Sequence, residues 1–355
     1  MDRNLPVAPR PLTEREKLIL HAVVHTYITT AEAVGSRTIV KRYGLDFSPA
    51  TVRNVMADLE DIGFLKQIHS SSGRIPTDRG YRYYVDYLMK VQELTLAERG
   101  RIEDQLSRQL NDLDSVMRQT CHMLALVSEQ TSIVESPNES DAEVRRIELI
   151  SLSTEKVAVL TADSYGQVHT LMVDVEQRVL PEELSRLSAF LNEHFTGMTL
   201  EHLKEQVKSR MQEYVDEQRQ MAEKALLLLM ALPHSRVAQV FLEGTSNLLD
   251  QPEFRDIAKA REMFTLLEER DRLSELLKQR LRTESEPRLS VIIGSDDDNS
   301  ALQDISFVTA PYQVSGKTVG WVGVMGPRRM PYSKVTALVD YTAGVLSSFL
   351  TRRAS

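Results

Sequence analysis

The chain has 355 residues, enough for two or three domains and a sizeable core. A hydrophobic share of 42%, a charged share of 26% and a longest wholly apolar run of only 225–232 exclude a membrane-spanning helix, and one cysteine, Cys121, excludes an internal disulfide. The net charge of -8 argues against a nucleic-acid partner for the chain as a whole, yet residues 1–90 carry 13 Lys+Arg against 10 Asp+Glu while the rest carry 30 against 41, so a basic head sits on an acidic body.

The first residues, MDRNLPVAPRPL, lack the apolar core of a signal peptide, and with the lone cysteine they lead us to expect a cytoplasmic protein. A first helix is predicted from Thr13, which forms a T-x-x-E capping box with Glu16, and Ile19, Leu20, Val23, Tyr27 and Ile28 give it an apolar face. A second runs from Ser36, its expected cap, to Gly44, with Ile39, Val40 and Tyr43 buried. The third has the clearest start in the chain: Ser48 as cap and Pro49 at the first helical position, where the missing amide costs nothing. Only Gly44-Leu45-Asp46-Phe47 separates helices two and three, the short glycine-bearing turn of a helix-turn-helix.

Helix three divides by face. Val52, Val55, Met56, Leu59 and Ile62 form the buried side, and Ala50, Thr51, Arg53, Asn54 and Asp58 lie on the other. A recognition helix touches base edges with its first turns. Arg53 can donate two bonds to guanine, and Asn54 can pair with adenine. Ser36, Arg37, Ser48 and Thr51 are expected to anchor phosphates, with Ala50 close to the groove. A hairpin wing follows, from the strand 64–69 through the polar tip Ser70-Ser71-Ser72-Gly73 to the return 74–76, and Arg74 is expected to reach the backbone from it. Arg37 is expected to matter more than Lys41 and Arg42, which fall in the last turn of helix two. Thr77 caps a further helix whose Tyr81, Tyr84 and Leu88 pack back on the head; Tyr83 and Tyr87 are compatible with core or surface roles.

Beyond the head, one long helix is predicted from about Thr95 to Glu135. Its stripe of Leu106, Leu110, Leu113, Met117, Thr120, Leu124 and Val127 fits packing on its own domain or a seam against a partner helix. Strands are expected at 144–152, 156–162 and 167–175. Helices follow from Pro181 to about Arg282, interrupted by a strand at 237–243. Strands return at 289–294, 305–311, 312–314 and 318–325, before a final amphipathic helix at 333–352. The simplest α+β account joins the early and late strands in one domain carrying a mostly helical insertion.

Several patterns imitate catalytic motifs. Ser315-Gly316-Lys317-Thr318 ends like a phosphate loop, but Pro311 stands where its first glycine belongs, so a hairpin turn is expected. Gly320, Gly323 and Gly326 have the wrong spacing for a dinucleotide site and read as close strand packing. His21 and His25 lack the glutamate of a zinc helix, Asp296-Asp297-Asp298 reads as a solvated loop, and Cys121 as a buried thiol. No cofactor, metal or catalytic residue is expected, and the chain is not read as an enzyme.

The run from Ser48 to Leu65, S-x-A-T-V-R-N-x-M-x-x-L-E-x-x-G-x-L, and the wing motif S-G-R-I-P-T-D-x-G-Y from Ser72 to Tyr81 resemble the signature of the HrcA heat-inducible repressors. The layout agrees along nearly the whole chain. The resemblance implies a winged helix-turn-helix at 1–90, a discontinuous GAF-like domain at 91–200 and 286–355, and an inserted dimerisation domain at 201–285. It also implies a homodimer on double-stranded DNA bearing the inverted-repeat CIRCE operator, repression of chaperone operons, and the chaperonin GroEL as modulator. The competing expectation is a small-molecule-responsive regulator of the GAF type.

Overall fold

A computed structural model describes residues 11–68, 73–106, 112–153, 155–175, 180–210, 216–232, 238–254, 256–269, 275, 289–294 and 304–354. Leu110, the wing tip Ser70–Ser72 and the acidic loop Asp296–Asp298, all singled out above, lie outside these residues.

The head begins with α1 (Glu14–Thr30), α2 (Ser36–Tyr43) and α3 (Pro49–Asp61), followed by the hairpin β1 (Leu65–Gln67) and β2 (Arg74–Pro76). The capping box forms as expected: Thr13 N donates to Glu16 Oε2 at 2.7 Å, and Glu16 N donates to Thr13 Oγ1 at 3.3 Å. The cap of α2 is Gly35, and Ser36 is its first helical residue, so that expectation was one residue late. Ser48 caps α3, accepting from Thr51 N at 3.1 Å. Replacing Ser48 with alanine should weaken α3 by about 1 kcal/mol. Hydrogen exchange at the α3 amides reads this, and unchanged protection would show that the cap contributes nothing.

Ile19, Leu20, Val23, Ile39, Val52 and Leu59 are fully buried and hold the three helices together. The wing is tied to the same unit, since Val34 and Arg74 exchange backbone bonds of 2.9 and 3.0 Å. A Cβ at Gly73 would stand 2.5 Å from the Val34 carbonyl, so the chain enters β2 on glycine. Helix α4 (Asp78–Tyr83), capped by Thr77, runs into a π-helical turn at Tyr84–Leu88.

The predicted long helix is three elements: α5 (Leu96–Leu106), α6 (Leu113–Ser128) and the strand β3 (Thr131–Glu135). Asp112 starts α6 afresh, accepting from Ser115 N at 2.8 Å. The helical stripe turns inward, with Met117, Thr120 and Leu124 buried against the body's sheet and last helix, so the seam belongs to the chain itself.

The next strands are β4 (Val144–Ser151), β5 (Lys156–Asp163) and β6 (Val168–Asp174), and then come α7 (Pro181–Phe195), α8 (Leu200–Arg210) and α9 (Asp216–Ala231). After them stand β7 (Val240–Glu243), α10 (Ser246–Leu249), a short 3-10 turn at Pro252–Phe254, α11 (Ile257–Glu268), β8 (Ser290–Ile293), β9 (Ile305–Val314), β10 (Lys317–Pro327) and α12 (Tyr332–Ala354). The two runs expected at 305–311 and 312–314 are one strand, β9.

Strand pairing redraws the expected grouping. One antiparallel sheet has the order β7-β3-β10-β9-β8, and a separate one has the order β4-β5-β6. The early strands therefore do not join the late ones, and β7, expected inside the helical insertion, pairs with β3 in the body. Each sheet has its own core. Val322, Val324, Val308 and Tyr312 of the larger sheet pack under α6 and α12, while Phe307, Trp321 and Met325 face Phe254 and Met263. Ile147, Leu149, Val157 and Val159 of the smaller sheet pack against α7, α8 and α9.

The expected hairpin joins β9 to β10 through Ser315 and Gly316, both at positive φ, as a tight reversal requires. The glycine stripe is close packing: a Cβ at Gly320 would meet the Tyr312 hydroxyl at 2.6 Å, and one at Gly323 would meet Thr309 Cγ2 at 2.6 Å. Among the described residues no helix is long and apolar enough to cross a membrane.

Candidate nucleic-acid interface

Helix α3 lies across α1 and α2 with Val52, Val55, Met56 and Leu59 buried. Its opposite side carries Ala50, Arg53, Asn54 and Asp58, all exposed, with Thr51 half-buried. Among the described residues neither Arg53 nor Arg37 forms an ion pair. Two guanidinium groups thus stand free in water, at the amino-terminal halves of the two helices that make the helix-turn-helix. Those are the ends where the helix dipole adds to attraction for a phosphate.

The hydroxyls at this site are already engaged. Ser48 Oγ and Thr51 Oγ1 lie 3.0 Å apart, and the same Ser48 oxygen caps the helix. They hold the first turn in shape and leave their remaining lone pairs and protons outward. Asp58 and Asp61 sit in the second half of α3, away from the end that attracts anions.

Two expected contacts need correction. Ser36 is 7% exposed, packed inside the head, so its side chain does not reach a phosphate. Arg74 is at the base of the wing, with its side chain 14% exposed and Nε bonded to Glu60 Oε2 at 2.8 Å. It is a strut and not a free anchor. The reason is Glu60, which sequence reading passed over: its other oxygen accepts from Gln67 N at 3.0 Å, so one carboxylate grips both strands of the wing. Nothing local marks that pair, because 14 residues separate Glu60 from Arg74. Replacing Glu60 with alanine should speed exchange at the Gln67 amide by about tenfold, the loss of one charge-assisted bond. Unchanged exchange would remove the clamp from the account.

Lys41 and Arg42, expected to matter less than Arg37, share its surface. Arg37, Thr38, Lys41 and Arg42 line one shallow groove on α2. Their spacing places them on one helical face, so Lys41 and Arg42 extend the positive surface that begins at Arg37. Arg42 also donates to Thr29 Oγ1 at 3.3 Å.

Cys121 is fully buried, its sulfur 3.0 Å from Ser132 Oγ, and burial pushes its thiol up to about 12, so it stays protonated and inert. Among the described residues no group of three His, Cys, Asp or Glu side chains converges on a metal position.

Comparison with known proteins agrees with this geometry. The family model described as "HrcA protein C terminal domain" matches residues 114–336. The heat-inducible transcription repressor HrcA of Geobacter sulfurreducens is 38% identical over 343 residues, covering 96% of this chain and 98% of that protein. The repressor of the same name from Pelotomaculum thermopropionicum is 37% identical over 342 residues, covering 96% and 97%. A crystal structure of a hypothetical protein at 2.2 Å resolution superposes with a TM-score of 0.65 at 23% identity, covering 97% of this chain and 100% of that one, and shares the fold. With a family model and full-length relatives on one side and a helix-turn-helix bearing a wing on the other, the chain belongs to the HrcA family of heat-inducible transcription repressors, which are regulators and not enzymes.

Proposed function

We propose that the chain binds a CIRCE-type inverted repeat as a homodimer in the cytoplasm, silences chaperone operons, and releases them on heating. The observation that carries this reading is α3, whose aliphatic side is buried while Arg53, Asn54 and Ala50 stand exposed on the other. Arg53 reads guanine and Asn54 adenine, while Arg37 and the Ser48–Thr51 turn hold phosphates. GroEL is the proposed modulator that keeps the repressor in its binding form.

In this reading the larger sheet with α5, α6 and α12 is the GAF-like body. The inserted unit starts near residue 143 and includes β4, β5 and β6, because those strands pair only with each other. Its sheet supports self-association: α7–α9 cover one face, and Ile150, Val168 and Met172 stand 48%, 66% and 68% exposed on the other.

The test is fluorescence anisotropy of the purified chain on an inverted-repeat duplex and on a scrambled one at moderate salt. Preference for the repeat with two chains per duplex is expected, and equal affinity overturns the proposal. Heating with and without GroEL should give more retained binding with the chaperonin. The alternative, a small-molecule-responsive regulator, rests on a different place: the seam between head and body.

A further inference from the structure

Head and body meet along a polar seam. Arg328, in the turn before α12, donates to Asp78 of the head at 2.6 Å and to Asp304 of the body at 2.7 Å. Gln92 N donates to Ser333 O at 3.0 Å, and Ser333 Oγ donates to the Lys90 carbonyl. Beside these contacts lies a cavity of about 490 Å³, within the size range of small-molecule sites. Its head wall holds His21, His25 and Tyr84; the linker contributes Lys90; and the start of α12 contributes Ser333 and Lys334.

Like the α2 groove, this cavity is positive, but unlike it the wall joins head to body. Among the described residues it is lined by two lysines and two histidines and by no carboxylate, in a chain of net charge -8. Lys90 has no ion pair among the described residues, and Lys334 has only a 3.5 Å contact to Glu98. A cavity of about 590 Å³ beside the smaller sheet has the opposite sign, with Asp112, Asp114, Glu139 and Asp163 in its wall.

The head wall is also aromatic and underused. The rings of His21 and His25 stack at 5.9 Å with an interplanar angle of 6°, and Tyr84 tilts against His21 at 5.5 Å. Tyr84 is 3% exposed, yet among the described residues its hydroxyl has no hydrogen-bond partner. His25 Nδ1 lies 2.7 Å from the Tyr43 hydroxyl, whereas neither ring nitrogen of His21 has a partner among the described residues. A hydroxyl and an imidazole without protein partners at the cavity wall are free to bond a ligand.

We propose that this cavity binds a phosphate monoester carrying a planar heterocycle, of the nucleoside monophosphate class. The phosphate sits between Lys90, Lys334 and Ser333, and the ring lies on the His21–Tyr84 wall with Tyr84 donating to it. Such a ligand touches α1 and α12 together, so it fixes how the DNA-reading head is carried on the body. Two recognition helices must present themselves about one helical turn apart on DNA. A ligand that favours one head orientation therefore changes operator affinity by population shift. The regulatory half of this proposal rests on the repressor reading; the binding half does not.

Titration calorimetry of the full chain with adenosine monophosphate tests the binding half without DNA. Saturable one-to-one binding is expected, weakened about tenfold or more in Lys90→Ala and in His21→Gln, the loss of one charged or hydrogen-bonded contact. Lys90 is exposed, so its variant keeps the fold if the His21 variant does not. Inorganic phosphate should compete only at far higher concentration. Absence of saturable binding, binding indifferent to both substitutions, or equal competition by phosphate overturns the site as stated. Operator anisotropy with and without the nucleotide then tests the regulatory half: a changed affinity that Lys90→Ala abolishes supports it, and an unchanged one overturns it while leaving operator recognition itself intact.

Discussion

Replacing Arg53 with alanine is expected to lower affinity for the operator by about 1–3 kcal/mol per half-site while leaving binding to unrelated duplex nearly unchanged. The asymmetry follows from where the side chain stands. Arg53 is exposed on the second turn of α3, carries no ion pair among the described residues, and packs against nothing in the head's core. Its removal therefore costs the folded head little and removes a contact that depends on base identity. Arg37→Ala should behave differently. In the proposed docking the Arg37 guanidinium at the start of α2 meets phosphate, so its loss should weaken all duplexes alike and reduce the salt slope by about 1 per site. Anisotropy titrations of both variants, on repeat and scrambled duplexes across a salt series, separate the two effects. If Arg53→Ala keeps the wild-type ratio between the duplexes, the assignment of Arg53 to bases is wrong.

What was legible in the sequence was local. Ser48 and Pro49 announce α3 because a cap and a proline act on amides three residues away, within reach of any reading of the chain. The same locality explains the error at Gly35 and Ser36, adjacent residues both acceptable as a cap. The strand β3 was read as the tail of a helix because Thr131–Glu135 is buried on both faces, which erases the alternation that marks a strand. Which strands pair was not legible at all. Hydrophobic runs at 144–151 and 305–314 predict strands equally well, and only the third dimension puts them in different sheets. At the site, the exposed residues of α3 could be read from helical period, whereas the Glu60–Arg74 strut, made across a turn and a hairpin, could not.

The proposed homodimer carries the other large expectation, at the face of β4, β5 and β6 that no helix covers among the described residues. Ile150, Ala158 and Met172 face one another in a row across the three strands, and Ala162 and Val168 in another, on the side away from α7–α9. Two ion pairs share this face: Arg146, in register with Ala162, meets Glu148, in the row between the two apolar ones, at 2.7 Å, and Lys156 meets Asp174 at 3.8 Å beyond Met172. In the proposed homodimer, two copies related by a twofold axis would close these apolar residues on each other with the ion pairs on the same face. Met172→Asp places a carboxylate on the edge strand β6 within that contact. Burying it unpaired costs several kcal/mol, so dimer dissociation should strengthen by about a hundredfold or more. Because Met172 is 68% exposed in the single chain, the same change should leave the chain's own stability within about 0.5 kcal/mol. Sedimentation equilibrium reads the first effect and urea unfolding of the monomer the second. Operator affinity should fall with the proposed dimer, since one head would hold only one half-site, while each head should keep the base preference proposed for Arg53. A Met172→Asp protein that still sediments as a dimer would move the interface to another surface and leave the reading of α3 untouched.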